Sequence, residues 1–389
     1  MKKLHIVILG AGIAGVSAAE AATKENPQAQ VSLLSSETDY PCYRLRVGDL
    51  LLDPDVEERL LLHPASWYKE NGIDLFLNAE ASSIDREKKE VLLTDGRRLS
   101  YDRLIYTCGS QSFVPYLEGA DLNNSFTLWS LDSARRLTRA IGVRPIKEIC
   151  VIGGGLLGLE AAWQLHLRGV KVHILELAPL LLARQLDQES STLLEEYIKS
   201  LGIDVVCSAD SEELVVDPES GKMKHIRLKD GREIPGEAVL FSVGVRANTG
   251  LGEKCGLEIG RRLKVDSQMR SSDPDIYSAG DVCEVDDGYW FGLWTISRSQ
   301  GQVAGTNAAG GKASFEKVYP PYIVNTMKTR IVSQGELPAE EGDGVRFEID
   351  VDRENYSYKK KIFRGDQLIG FILIGEAAKE MVALQKELA

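Results

Sequence analysis

A chain of 389 residues that is 43% hydrophobic and 27% charged has the composition of a globular protein of two or three domains, long enough to bury sizeable cores. A net charge of −12 argues against nucleic acid or an anionic membrane as the main partner, and no apolar stretch reaches the about 18 residues of a membrane span. Cys42, Cys108, Cys150, Cys207, Cys255 and Cys283 form no C-x-x-C or other metal-ligand spacing, which suits a reducing, cytoplasmic setting without a disulfide framework or metal site.

Residues 4–10, LHIVILG, are a continuous apolar run, the mark of a parallel strand buried on both faces. Lys2 and Lys3 before this run imitate a secretory signal, but cleavage near Ala18–Ala22 would remove the glycine motif that follows. A helix is predicted from about Ile13 to Lys24 and a second strand over 29–35. The pattern from Asp53 to Asn71, with Leu60, Leu61, Pro64 and Trp67, reads as helical. Strands then alternate with turns over 73–77 and 89–110, where Asp95-Gly96 signals a hairpin. A second unit starts near residue 113. It holds a helix over 130–142 capped by Ser130 or Asp132, a parallel strand within 147–155, and a helix over 156–169 ended by Gly169. A strand over 170–177, a helix over 190–201 and short strands over 203–243 around a second Asp-Gly (230–231) follow. Beyond residue 245 come a strand running into a glycine turn (276–285) and a helix with a glycine-rich face (297–310). The last segment, 315–389, reads as small and α+β, with a strand pair over 356–375 and a helix over 376–388.

Two stretches repeat one pattern. IVILGAGIAGVSAAE (6–20) and ICVIGGGLLGLEAAW (149–163) each set G-x-G-x-x-G between a strand and a helix, about one domain length apart. In such a turn the first glycine permits the tight bend, the second lets backbone approach a pyrophosphate, and the third lets helix and strand pack closely. The helix start then offers free N–H groups and partial positive charge to the phosphates. Gly10, Ala11, Gly12, Ile13, Ala14 and Gly15 make the first candidate site; Gly153, Gly155, Leu156, Leu157 and Gly158 make the second. An acid about 20 residues on takes the ribose hydroxyls. Glu37 is that acid in the first copy, with Ser35 and Ser36 as alternatives, and Glu176 in the second. A carboxylate there repels a 2′-phosphate and favours NADH over NADPH; the nearest base afterwards is Arg184. Two dinucleotide sites suggest a resident flavin and a visiting nicotinamide, with a hydride passing between domains that face each other. The predicted fold is therefore α/β: two Rossmann-like dinucleotide-binding domains, the second beginning near residue 113, and a small α+β carboxyl-terminal domain (315–389).

The motif series GAGIAG (10–15), YPCYRLRVGDLL (40–51), YDRLIYTCGS (101–110), GGGLLGLE (153–160), SVGVRAN (242–248), IYSAGD (276–281) and NTMKTR (325–330) resembles that of the FAD-dependent pyridine nucleotide-disulfide oxidoreductase superfamily over essentially the whole chain. Within it, the chain is most similar to NADH:rubredoxin reductases and the flavoprotein portion of nitrite reductases. The resemblance implies FAD on GAGIAG and NAD on GGGLLGLE, hence a discontinuous FAD domain (1–112 and 245–314) and an NAD domain (113–244). It implies Asp281 on the flavin ribityl chain, Arg44 near the flavin diphosphate and ring, Cys108-Gly109 in place of a Thr-Gly turn, and Trp294 against the flavin. It further implies Glu160 and Lys328 as catalytic positions close to the flavin, Lys328 stabilising negative charge on the reduced ring. Ala81 and Gly244 complete the cofactor-binding set. Three positions depart from the family: Leu45 and Ala247 stand where proline is usual, and Asp49 replaces a lysine that often closes its segment. The implied activity is ping-pong electron transfer from NADH through FAD to a small redox protein such as a rubredoxin, by a monomer or homodimer. Arg44, Arg46, Arg298, Lys328 and Arg330 are candidates for a basic patch that steers an acidic acceptor, and Lys359, Lys360 and Lys361 are candidate contributors. The other reading of the lysine run is a solvated strand edge that blocks aggregation.

Two other functions stay open. Cys42 lies where NADH oxidases, peroxidases and disulfide reductases of the superfamily carry a redox cysteine, although lining up the segment puts Arg44 at that position. The second is a non-catalytic protein that senses flavin and NADH and changes its associations.

Overall fold

The computed structural model describes residues 3–121, 123–143, 146–219, 222–286, 288–342 and 344–388. Its internal contacts divide the chain into two units: Met1–Val47, Asp55–Gln111 and Val245–Lys317 in one, Gly48–Pro54, Ser112–Gly244 and Val318–Ala389 in the other.

The first unit is built on a five-stranded parallel sheet in the order Ile276–Ser278, Arg103–Tyr106, His5–Leu9, Gln30–Leu34, Ile73–Phe76. Ile6, Val7 and Ile8 are fully buried, as a strand covered on both faces requires; each such side chain contributes about 1.5–3 kcal/mol. The helices Ile13–Glu25 and Trp294–Ala308 pack on each other at backbone distance. Gly301 and Gly305, one turn apart, face Ala14 and Ala18: a Cβ on either glycine would lie 2.2 or 2.1 Å from an alanine carbonyl oxygen. The weak glycine-rich face in the sequence is thus a helix-packing face. The Asp95-Gly96 turn joins Glu90–Leu93 to Arg98–Ser100 as an antiparallel pair, with Ala81–Asp85 as its third strand.

The second unit repeats the plan. Its parallel sheet runs Asp204–Val206, Lys171–Leu175, Glu148–Ile152, Ala238–Phe241, Ser125–Phe126. The helix Leu131–Val143 is capped by Ser130, whose Oγ accepts the Ser133 N–H at 3.2 Å. The chain ends in a five-stranded antiparallel sheet ordered Tyr322–Thr326, Thr329–Gly335, Gln367–Ile374, Ser357–Arg364, Val345–Asp352, followed by the helix Met381–Leu388. This α+β element shares one core with the parallel sheet, since Val324, Met327, Tyr358 and Ile372 pack among Leu159, Leu165 and Ile198.

Three readings change. The stretch 53–71 is not one helix but a 3-10 turn (Pro54–Leu60) and a short helix (Ala65–Glu70), because Leu61 leaves the helical path to bridge Cys42 and Pro64 starts a new element. The carboxyl-terminal sheet holds three strands beyond the pair read from sequence. The 376–388 helix is shorter than read, with a 3-10 turn over Gly375–Glu380 before it.

Candidate functional site

The two glycine turns have the same construction. Gly10 and Gly153 sit at φ +100° and +115°, a region that disfavours any side chain, and a Cβ on either would lie 2.3 Å from a carbonyl oxygen, that of Thr107 or Ser242. Gly15 and Gly158 pack so closely that a Cβ would lie 1.9 Å from the carbonyl oxygen of the first glycine of its own turn. Gly12 and Gly155 differ: a Cβ there meets no protein atom within 4 Å. Each is the N-cap of its helix, Ile13–Glu25 or Leu156–Leu167, and neither helix start receives a side-chain cap. Two glycines of each turn are therefore demanded by the protein's own packing. The middle one leaves an open cradle at a helix start that no N-cap side chain closes among the described residues, the shape and polarity that an anionic pyrophosphate fits.

Around the first turn, Ser35 is buried and its hydroxyl accepts the Glu37 N–H at 3.1 Å, while Ser36 is exposed. The Glu37 carboxylate is ion-paired with Arg44, so the predicted ribose acid and the predicted diphosphate arginine are brought together. The backbone at Asn78 and Ala79 bonds to Glu37 and Ser35, which sets Ala81 just beyond. Asp281 accepts from Ser110 Oγ at 3.1 Å and Ser297 Oγ at 3.4 Å, and the adjacent Gly280 lies against Ala14 at the start of the first helix. Cys108 and Gly109 are tied to Asn248, whose side chain donates to the Cys108 carbonyl at 2.8 Å. Burial raises the Cys108 thiol to about 12, so it stays protonated. Trp294 opens the helix Trp294–Ala308, stacks on Tyr43 at 5.7 Å, and has a buried Nε1 with no hydrogen-bond partner among the described residues.

Around the second turn, Glu176 accepts from the Gly154 N–H at 2.6 Å and the Ala178 N–H at 2.8 Å, which fixes its carboxylate beside the glycines. Leu157 is exposed, Arg184 is exposed, and Gly244 sits at φ +96°. Glu160 lies on the helix face it shares with Trp163 and Gln164. Burial first, then the Asp49 charge, raises its carboxyl to about 7. Asp49 reaches the same face, where Gln164 Nε2 lies 3.5 Å from its Oδ1. Lys328 arrives there from the carboxyl-terminal sheet, its Nζ 5.9 Å from the centre of the Trp163 ring. It is placed by a two-residue hairpin in which Met327 and Lys328 both adopt positive φ, +51° and +58°. Met327 is fully buried and its carbonyl accepts the Tyr197 hydroxyl at 2.6 Å, so the turn is held from beneath.

A family model described as pyridine nucleotide-disulphide oxidoreductase matches residues 4–304. The chain belongs to this family. It is 31% identical to the NADH-rubredoxin oxidoreductase of Clostridium acetobutylicum, over 87% of this chain and 83% of that protein. The crystal structure of NADH:rubredoxin oxidoreductase from the same organism matches over 100% of this chain and 94% of its own, with a TM-score of 0.82 at 27% identity. A ferredoxin reductase from Rhodopseudomonas palustris shares the fold at 23% identity, with a TM-score of 0.86 over 98% of this chain and 93% of that one. The chain is also 31% identical to the nitrite reductase [NAD(P)H] of Bacillus subtilis over 97% of its length, but spans only 46% of that relative.

In this oxidoreductase-family chain several residues around the first turn escaped the sequence reading. The Thr107 hydroxyl bonds the carbonyls of Leu9 and Gly10 at 2.9 and 2.8 Å and so clamps the first turn. Gln300, buried, accepts the Gly280 N–H at 3.0 Å. Thr107 lies within the quoted motif YDRLIYTCGS and Gln300 within a predicted helix, but only the fold aims them. Buried Arg262 donates to the Asp281 carbonyl and lies 3.6 Å from the Trp290 ring centre.

The lysine run is corrected. Lys359, Lys360 and Lys361 lie on Ser357–Arg364, an interior strand of the sheet and not its edge. Lys360 is 3% exposed and bound to Asp187, so it takes no part in a surface patch. Lys359 is paired with Glu380 at 2.9 Å, and Lys361 stands opposite Glu348. Arg46, Arg298 and Lys328 are exposed, whereas Arg44 and Arg330 are half-buried. Cys42 is 7% exposed, beneath the Leu61 bridge. No helix of the described residues is long and apolar enough to cross a membrane.

Proposed function

We propose that the chain is an FAD-dependent NADH oxidoreductase that passes electrons to a small redox protein such as a rubredoxin. One observation carries the reading: two glycine turns of matching geometry, each with an open middle position at an uncapped helix start, in one chain. FAD, when bound, accepts a hydride from NADH and releases electrons to an acceptor.

The residues that would hold FAD are Gly10 through Gly15, Ser35, Ser36, Glu37, Arg44, Ala81, Cys108, Gly109, Asp281 and Trp294. Asp281 offers a carboxylate to hydroxyls, and Trp294 a buried indole N–H beside an apolar ring. Those that would hold the nicotinamide nucleotide are Gly153, Gly155, Leu156, Leu157, Gly158, Glu176 and Gly244. Glu176, held by two backbone N–H groups, keeps lone pairs for ribose hydroxyls and repels a 2′-phosphate, which supports NADH over NADPH. Glu160 stands on the helix face that carries Trp163, and Lys328 reaches the Trp163 ring from its hairpin: the first carries a proton near neutral pH, the second supplies fixed positive charge. We assign 1–112 with 245–314 to FAD, 113–244 to NADH and 315–389 to the carboxyl-terminal element, in a cytoplasmic enzyme.

The acceptor assignment draws on the NADH-rubredoxin oxidoreductase relative. At a net charge of −12, an acidic acceptor meets overall repulsion, which makes the exposed Arg46, Arg298 and Lys328 the candidates for local steering. Anaerobic NADH titration of the purified protein, followed by rubredoxin, tests the whole reading. The flavin absorbance should bleach with about one equivalent of NADH and return on adding oxidised rubredoxin. A protein that cannot be loaded with FAD, or whose flavin stays oxidised under saturating NADH, would sink it.

A further inference from the structure

The segment 177–187 joins the strand that leads to Glu176 to the helix Gln188–Ser200 and lies over the second glycine turn. The Leu182 N–H donates to the Gly154 carbonyl at 3.3 Å, and a Cβ on Gly154 would come within 2.4 Å of Leu181 Cδ2. Leu182 is held at φ +50°, and Ser191 Oγ donates to the Leu181 carbonyl at 3.0 Å. A segment so closely applied to the turn transmits any shift of its own to the Glu176 carboxylate and the Gly154 N–H.

The segment is anchored at its far end by Asp187. One oxygen, Oδ1, caps the helix by accepting from the Ser190 N–H at 2.9 Å and Oγ at 2.6 Å. The other, Oδ2, is claimed by the carboxyl-terminal sheet: Lys360 Nζ at 2.8 Å and the Tyr358 hydroxyl at 2.9 Å. The Lys360 ammonium also lies 3.7 Å from the centre of the Phe347 ring. Stability alone gives no reason for a lysine here. A buried ion pair is often no better than a well-packed apolar pair, because desolvation offsets the attraction. What the pair supplies is direction, since it ties one strand of the sheet to one end of one loop.

We propose that Lys360, acting through Asp187, is a positioning residue for the nicotinamide nucleotide: the carboxyl-terminal sheet holds segment 177–187 over the second glycine turn and so sets NADH affinity. The inference rests on reading that turn as the nucleotide site. The test compares wild type, Lys360→Met, Asp187→Asn, which keeps a capping oxygen, and the double variant, each as FAD-loaded full chain. NADH dissociation constants, steady-state KM and kcat, and Tm are measured. Each single variant should bind NADH about tenfold more weakly, with KM raised in step and kcat at saturating NADH unchanged, roughly the 1.4 kcal/mol that a factor of ten represents. The double variant buries no unpaired charge, so its Tm should recover while its dissociation constant stays raised. Affinity that recovers together with Tm, or singles that bind as wild type does, overturns the proposal. If the singles do not fold, the double variant carries the test. Failure of the wild type to bind NADH overturns the nucleotide reading and this inference together, whereas tight wild-type binding with unaltered variants overturns the inference alone.

Discussion

Gly155→Ala separates what the protein needs from what a ligand needs. Gly155 is an N-cap at φ −83° and ψ −178°, a conformation alanine adopts without strain, and its added Cβ meets no protein atom within 4 Å. The folding cost is limited to a poorer cap, about 0.5–1 kcal/mol, which lowers Tm by roughly 1–2 °C. Gly153→Ala, two residues earlier, puts a Cβ 2.3 Å from the Ser242 carbonyl oxygen at φ +115° and should cost several-fold more stability. For binding the order reverses. A methyl group in the cradle holds a pyrophosphate off the helix N–H groups, and losing one charge-assisted hydrogen bond is worth about 1.5–3 kcal/mol. Gly155→Ala should therefore weaken NADH binding by about 10–100-fold while FAD content stays at the wild-type level. Calorimetric titration with NADH, flavin absorbance and a melting curve on one preparation give all three readings. NADH affinity within twofold of wild type, with Tm nearly unchanged, would refute the assignment of the second cradle to a nucleotide.

Glu160 makes stability depend on pH. Its native carboxyl titrates near 7 against an ordinary 4.5, so between those values the native state holds a proton that the unfolded chain has released, and stability falls as pH rises across the window. Glu160→Gln should flatten that part of a Tm-against-pH profile; an identical decline in the variant contradicts the raised value. Lys328→Ala and Lys328→Gly both remove the ammonium and should slow flavin reduction by NADH to a similar extent. Because residue 328 sits at φ +58°, the glycine variant should be more stable than the alanine one by about 1 kcal/mol, read as a shift in Tm. Gly301→Val drives side-chain atoms into the Ala14 carbonyl, 2.2 Å from the first added carbon, and should lower Tm sharply and impair FAD retention; a variant that purifies yellow and melts as wild type does would show that the helix pair can part freely.

The duplicated glycine turns, their strands and their helices are legible in the sequence because each rests on local rules: an apolar run, a residue that tolerates positive φ, and a run of helix-forming residues after the glycines. Glu37, Arg44, Asp281 and Glu176 are legible as motif positions, but that Arg44 turns to Glu37, or that Glu176 spends hydrogen bonds on Gly154 and Ala178, depends on how separate segments meet. The Met327–Lys328 hairpin carries no turn signature, since neither residue is glycine or asparagine, and it exists because the buried Met327 and the Tyr197 bond hold it. Val345–Asp352 alternates apolar with polar residues, the local signature of a strand. Lys360 has no local mark that sets it apart from Lys359 and Lys361. Its burial follows from strand pairing and from the distant Asp187. Sequence determines those features whose physical cause lies within a few residues along one element; tertiary structure decides those whose partner is brought in from a separate segment, whether seven positions away, as with Arg44 and Glu37, or 173, as with Lys360 and Asp187.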